Sequence, residues 1–502
     1  MAPSVSVKEY YAGRSLFITG STGFMGKVLV EKILRSCPDV KCLYVLMRSK
    51  KGHSSKERIH EFLNYRVFDY LKSEYPEQLQ KLRVVPGDIL VEDLGMSIDD
   101  REMLQKECHV VFHCAACVRF DMLIRDAVNF NTVGTQRVLD LASGMTKLEV
   151  FVHVSTAYTH CDLEVLEDKI YPSKHKPHQI MNCVSWMDDK LLEHLQPKLI
   201  EPQPNTYAYT KALAEDLVAQ YAEKFPIVIA RPSIVIASYK EPMPGWVDNL
   251  NGPTGFLVGC GKGAIRSMHL DDSLHPDVIP VDMAVNACIL LAYTTALEKS
   301  KELKVCNLTL SDDNPATWKE ALDFGLHHLK EVPFSVCLWY PGGSPKSSWL
   351  QHQVALFFTM ILPAYFVDLI MILLRKKTFM VNVQKRIRYG MESMRYFTTK
   401  EWHFKNDNLK ALRQKVLPED DKTFFTDMKV INWSSYMKVY IKGVREYCLK
   451  EDPSTLPQAR RLHRQLYYAD MVVKYLFYSL LTYLVYLLVC ENVHLFSNKS
   501  LI

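Results

Sequence analysis

Residues 15–36 read SLFITGSTGFMGKVLVEKILRS: a short apolar strand, a turn with spaced glycines, and then an amphipathic helix. The strand, Ser15 to Thr19, is followed by Gly20, Ser21, Thr22, Gly23, Phe24, Met25 and Gly26 before KVLVEKILRS begins. Glycines at this spacing permit a tight turn, let a pyrophosphate approach bare backbone N–H groups, and let the helix pack closely on the strand. The helix N-terminus adds partial positive charge. Three glycines alone mean little, but between a strand and a helix they predict a dinucleotide site from Thr19 to Gly26.

Outward from this stretch the same alternation continues. Short apolar runs at Lys41 to Met47, Leu82 to Val85, His109 to His113, Val150 to Val154 and Ile227 to Ala230 read as strands separated by helical segments. Repeated βαβ units predict an α/β fold, a Rossmann-type doubly wound parallel sheet covered by helices on both faces. From about Asp162 to Pro204 the pattern is interrupted by a stretch rich in His, Pro and Asp. The reading divides the chain into a nucleotide-binding unit at 12–345, an apolar segment at 346–377, a smaller, mainly helical unit at 378–465 and a C-terminal apolar helix at 471–490.

The chain has 502 residues, a length that suits about three units of roughly 150 residues. Apolar residues make up 48% and charged residues 23%, which excludes a disordered, collagenous or fibrous chain. The net charge is only +5 and no block of Lys and Arg stands out, so no nucleic acid partner is expected. Thirteen cysteines are too sparse for a disulfide scaffold, and the N-terminus lacks the apolar core of a secretory signal. Reduced thiols facing the cytosol follow, and the sequons at Asn307, Asn432 and Asn498 read as chance matches.

Two segments depart from the globular average. Met471 to Cys490 is 20 residues long with a single charge, at Lys474, and at about 1.5 Å per residue it just spans roughly 30 Å of hydrocarbon. It reads as a membrane anchor. Val354 to Leu374 is long enough as well, but it contains Pro363 and Asp368 and runs into Arg375, Lys376 and Lys377. A lipid-facing aspartate costs on the order of 3 kcal/mol. A span, an interfacial helix and a wall of an apolar tunnel are all open for this segment, the last two being favoured.

The second strand ends in Met47-Arg48-Ser49-Lys50-Lys51, where an NAD site usually carries an acidic residue. A basic cluster suits a 2′-phosphate, with Arg48 the leading contact and Lys50 beside it, so NADPH is expected over NADH. Gly87-Asp88-Ile89 closes the third strand, where Asp88 either meets the adenine amino group or serves a turn. Further on, FVHVSTAY (151–158) ends a strand in hydroxyls, and after the interruption comes Tyr207-Ala208-Tyr209-Thr210-Lys211. Four-residue spacing places Tyr207 and Lys211 on one helical face. An ammonium near the phenol is expected to lower its pKa, so that the tyrosine donates a proton to a carbonyl oxygen as hydride arrives. A hydroxyl at Ser155 or Thr156 holds that oxygen, with Thr156 preferred. Cys114 and Cys117, near His109 and His113, read as small packing residues beside the cofactor, and no metal is expected. Asn131 divides evenly between organising the proton relay and core or cap duty.

A glycine loop, then a strand ending in Ser/Thr, then a Tyr-x-x-x-Lys pair resembles the extended short-chain dehydrogenases/reductases. TGSTGFMGKVLVEKILRS, FVHVSTAY, PNTYAYTKALAE, IARPSIV and PVDMAVNA, followed by FTTKEWHFKNDN, INWSSY and GVREYCLKED, resemble more narrowly the alcohol-forming fatty acyl-CoA reductases over most of residues 10 to 455. That resemblance implies two NADPH-dependent reductions of a long-chain acyl-CoA, through a bound aldehyde, to a primary alcohol. It also implies Tyr207 and Lys211 as the catalytic pair. In the loop Gly259 to Arg266, Lys262 and Arg266 either hold CoA phosphates or belong to an ordinary surface loop. Membrane lipid is the second expected partner and the oligomeric state is open. The C-terminus, Lys499-Ser500-Leu501-Ile502, is not a Ser-Lys-Leu address, which favours the endoplasmic reticulum over the peroxisomal membrane or a lipid droplet. The competing readings are a sterol or nucleotide-sugar dehydrogenase and a non-catalytic NADPH-binding scaffold.

Overall fold

The computed structural model describes residues 5–48, 52–53, 55–300, 302–310 and 313–499. Its centre is a seven-stranded sheet: β1 (Ser15–Thr19), β2 (Cys42–Met47), β3 (Leu82–Pro86), β4 (Cys108–His113), β5 (Val150–Val154), β6 (Ile227–Pro232) and β7 (Lys304–Leu308). The order across the sheet is β7-β6-β5-β4-β1-β2-β3, and every neighbouring pair is parallel. The chain therefore starts in the middle and winds outward both ways, which is the doubly wound arrangement expected. β1 shows why its residues are nearly all apolar. Leu16 and Ile18 enter one core and Phe17 the other, because successive side chains point to opposite, equally buried faces.

The helices that matter for the site are α1 (Phe24–Ser36), α2 (Gly134–Ser143), α3 (Thr206–Ala219), α4 (Pro253–Gly261), α5 (Val281–Glu298) and α6 (Trp318–Glu331). α5 is apolar enough to resemble a membrane span, yet it is a core helix with 89% of its length buried. A helix apolar all round must be covered on every side, here by α1, β5 and β6.

The C-terminal helices do not build a core of their own. Leu409, Leu412, Phe424, Tyr436 and Ile441 belong to the same apolar cluster as Ile18 and Val152. Asn406 and Asn408 donate to the Thr309 and Val305 carbonyls. Part of the stretch that interrupts the alternation pairs here too, Val165–Leu166 lying parallel to His403–Phe404.

The first exposed apolar helix, α7 (Trp349–Leu373), turns back into α8 (Met380–Thr398). Asp368 explains the turn. It is 8% exposed and accepts from the backbone N–H groups of Phe379, Met380 and Val381, the free donors at the start of α8. The aspartate that argues against a lipid-facing helix is thus spent on a helix cap. Leu356 and Met360 of α7 pack with Met391, so α8 runs back antiparallel along α7. After α9 (Trp433–Gly443) the chain ends in the long α10 (Leu456–Lys499). Asp470 holds α10 to the body, 3.3 Å from Arg266 and 2.5 Å from the Trp339 indole nitrogen. Beyond it Tyr475, Leu476 and Phe477 are exposed.

Candidate active site

The glycine loop is shaped by contacts that only glycine permits. Gly20 has φ +71°, and a Cβ there would lie 2.6 Å from the Ala115 backbone nitrogen; one at Gly26 would lie 2.2 Å from the Gly20 carbonyl oxygen. Gly23 donates to that carbonyl at 2.9 Å and opens α1 with no side-chain cap. The first-turn N–H groups of α1 are thus left for an anion. Ser21 Oγ is buried without a partner at the same place. This cradle, with its free amides and its orphaned hydroxyl, fits a dinucleotide pyrophosphate.

The rest of the loop is supported from behind. Thr19 Oγ1 lies 2.7 Å from His113 Nδ1 and accepts from the Ala115 N–H. Burial, and secondarily Lys211, pulls the His113 pKa down to about 3, so the imidazole is neutral. Phe24 stacks on Trp246 at 5.2 Å, and Met25 packs on the core. Lys27 reaches back to the Thr22 carbonyl at 3.0 Å and pairs with Asp248 at 2.6 Å.

Arg48 stands exposed at the tip of β2. Lys50 lies outside the described residues. Gly87 donates to the Met47 carbonyl, which brings Asp88 alongside. One Asp88 oxygen accepts from Leu90 N–H at 3.1 Å, which is turn duty, and Ile89 packs against Gly134 at the start of α2.

The catalytic candidates meet at the ends of β5 and α3. Asn205 caps α3 by accepting from Ala208 N–H at 2.8 Å, which fixes where Tyr207 and Lys211 face. Lys211 is 2% exposed and donates to the Val154 carbonyl at 2.7 Å, and burial lowers its pKa to about 8. Burial pushes the Tyr207 phenol up, and its hydrogen bond with the Thr156 hydroxyl works the other way. The downward shift expected from Lys211 is therefore not what this site shows. The ammonium reaches back to the strand, and desolvation dominates.

Thr156 also accepts from Tyr158 N–H at 3.3 Å, whereas Ser155 Oγ is enclosed with no partner. Of the two hydroxyls, Thr156 is thus the one at the phenol. Asn131 is committed to structure. It bonds the Cys117 backbone on both sides and donates to Thr210 Oγ1 at 3.0 Å, holding the loop after β4 against α3. Lys262 and Arg266 lie past the sheet. Arg266 donates to the Tyr340 carbonyl at 2.9 Å and pairs with Asp470.

Two features of the site were not among the residues read from the sequence. Phe120 stacks on Tyr207 at 5.9 Å, and Phe397 lies against Phe120 at 5.6 Å. These rings come from sites far apart in sequence and carry no local signal. Glu215, one turn beyond Lys211 on α3, forms a fully buried two-bond pair with Arg231 at 2.9 and 2.5 Å. Its four-residue spacing from Lys211 is a signal that could have found it.

The family model described as Male sterility protein matches residues 18–288, and a second one of that description matches 359–451. Fatty acyl-CoA reductase 1 of Rattus norvegicus is 39% identical over 91% of this chain and 89% of its own. The chain belongs to the fatty acyl-CoA reductase family. Fatty acyl-CoA reductase 2 of Homo sapiens is 36% identical over 92% of this chain and 90% of its own. Among solved structures, this family member is similar in fold to the reductase domain of a non-ribosomal peptide synthetase from Mycobacterium tuberculosis. The TM-score is 0.58, with 19% identity over 88% of this chain and 93% of that one. The terminal R domain of the myxalamid pathway gives 0.55 at 17% identity over 86% and 90%. At such identities the likeness concerns the fold alone.

Proposed function

We propose that this protein is an alcohol-forming fatty acyl-CoA reductase that takes a long-chain acyl-CoA to a primary alcohol with two NADPH. The observation that carries the reading is the half-buried Tyr207 phenol beside Thr156, on the helix that carries Lys211, within a member of this family. Bound at the glycine loop, NADPH supplies hydride. Arg48 at the tip of β2, with no carboxylate in its place, supports the 2′-phosphorylated cofactor.

Thr156 and Tyr207 hold the thioester carbonyl oxygen, and Tyr207 stabilises the anion that develops there. Collapse of the thiohemiacetal expels CoA thiolate and leaves an aldehyde. In the second reduction Tyr207 gives its proton to the alkoxide and the alcohol forms. Because burial raises its pKa, the phenol holds that proton throughout the neutral range. Lys211 orients the carrier and supplies the positive field. Phe120 and Phe397 keep water from the aldehyde between the two steps. Lys262 remains available for the CoA phosphates, while Arg266 would have to leave Asp470 to join it.

Incubating the detergent-solubilised full chain with hexadecanoyl-CoA is expected to yield hexadecanol and oxidise two cofactors per alcohol, with NADPH preferred to NADH. Reduction of a sterol ketone or a nucleotide-sugar, with no product from acyl-CoA, would overturn the reading.

The two exposed apolar helices support attachment of the enzyme to a membrane. α10 carries the anchor. α7 lies flat in the interface as a wedge, because α8, packed antiparallel along it, bears Lys385, Arg386, Arg388 and Arg395, which hydrocarbon would not accept. The catalytic units then face the cytosol, with the endoplasmic reticulum favoured. Truncation after Lys474 keeps the Asp470 contact and removes the anchor; the shortened chain is expected to remain bound to vesicles. Adding Phe358→Ser, Phe366→Ser and Ile372→Ser should release it. Release of the shortened chain without those substitutions would reject the wedge.

A further inference from the structure

A cavity of about 360 Å³ lies between α4, α6, α9 and the short strand Ser267–His269. Phe256, Leu257, Met268, Leu322, Leu326 and Met437 are part of its apolar wall. Tyr436 and Tyr440 border it too, but their hydroxyls are bonded to the Ala237 carbonyl and to Thr254, so they present no free polar group to an occupant. The cavity lies between the two parts of the enzyme that a lipid substrate must reach. On one side Val278 of its wall pairs with Ile234, which packs against the apolar cluster that holds Ala157 and Tyr158, next in sequence to Thr156. On the other, Ile265 and Met268 of its wall belong to the apolar cluster that takes in Leu356 and Met360 of α7.

One residue of this wall has no packing reason to be what it is. Gly325 is buried in the middle of α6, where glycine weakens a helix. It has no left-handed backbone, and a Cβ there would meet nothing within 4 Å. Two other glycines nearby behave differently: a Cβ at Gly259 or Gly261 would come within 2.5 Å of Ile265 or Phe334. What the missing side chain at 325 leaves is room in the cavity. Resting on the acyl-CoA reading above, we propose that the fatty acyl tail occupies this cavity and that Gly325 sets its depth, making it a position that determines chain-length specificity.

The test is the series Gly325→Ala, Gly325→Leu and Gly325→Phe in the full chain. Turnover is compared on dodecanoyl-, hexadecanoyl- and octadecanoyl-CoA in detergent, with the melting midpoint of each variant checked. The ratio of octadecanoyl to dodecanoyl kcat/KM should fall stepwise with side-chain size. In Gly325→Phe the fall should be about tenfold or more, the discrimination that two methylenes denied burial supply. An unchanged ratio in a folded Gly325→Phe overturns the proposal. If the larger variants fail to fold, hexadecanoyl-CoA with a diazirine at the chain terminus is photolysed on the wild-type enzyme. Cross-links on α4 or α6 support the proposal, and cross-links confined to α7 or α10 overturn it. A wild type that reduces no acyl-CoA fails earlier and differently, removing the substrate reading and the tail assignment with it.

Discussion

Tyr207→Phe is expected to lower kcat about 100- to 10,000-fold, the range that a positioned proton donor contributes, while leaving NADPH affinity near wild type. The phenol meets the Thr156 hydroxyl, so the two can share the carbonyl oxygen. Tyr209, two residues on, is bonded to His175 at 2.9 Å and points elsewhere, and Tyr158 is turned to the Asp277 carbonyl. Loss of the Tyr207 oxygen removes the proton that the alkoxide needs and one of two donors to the thioester oxygen. Phe keeps the ring and its stacking on Phe120, so the melting midpoint should hardly move. Tyr209→Phe serves as the control and should cost less than about threefold, as expected for a hydrogen bond outside the reacting centre. Single-turnover kinetics with cofactor titrated separately would decide. More than a tenth of wild-type turnover in Tyr207→Phe would take the proton-donor role away from this residue.

Gly26→Ala is expected to abolish productive NADPH binding. The added methyl would sit 2.2 Å from the Gly20 carbonyl oxygen and 2.7 Å from Ser21 Cα, and both obstacles are backbone, so the loop itself must shift. Such a shift misaligns the amides at the start of α1. Losing two hydrogen bonds to a charged phosphate, each about 1.5–3 kcal/mol, weakens binding at least about a hundredfold. NADPH fluorescence titration checks the affinity, and circular dichroism checks that the sheet is intact. Binding within about threefold of wild type, a difference of about 0.7 kcal/mol, would show that the loop does not grip the pyrophosphate.

Six of the seven strands were legible as apolar runs. The seventh, Lys304–Leu308, reads KVCNL. It is short and carries two polar residues, and only its register against β6 makes it a strand. Tyr207, Lys211 and the glycine loop were legible for a similar reason: their geometry is set within one turn of helix or one strand-to-helix junction. The direction of the phenol's shift was not legible. It depends on how much protein covers the ring, and that cover includes Phe120, which itself lies against Phe397. Nor could the order of the chain show that Arg266 would meet Asp470, more than 200 residues on.

Sequence by itself determined the alternation that makes a doubly wound sheet, the glycine loop between strand and helix and the spacing of the tyrosine and lysine, since each is a local consequence of period and residue type. Tertiary structure alone decided which apolar helix is core and which is surface: α5 is enclosed by its neighbours, while α7 and α10 lie open. It also decided that Asp368 is spent on capping α8 and that Gly325 faces empty space. The physical reason is the same in each case. Burial and packing belong to sets of residues that are distant along the chain, and no single stretch of it carries them.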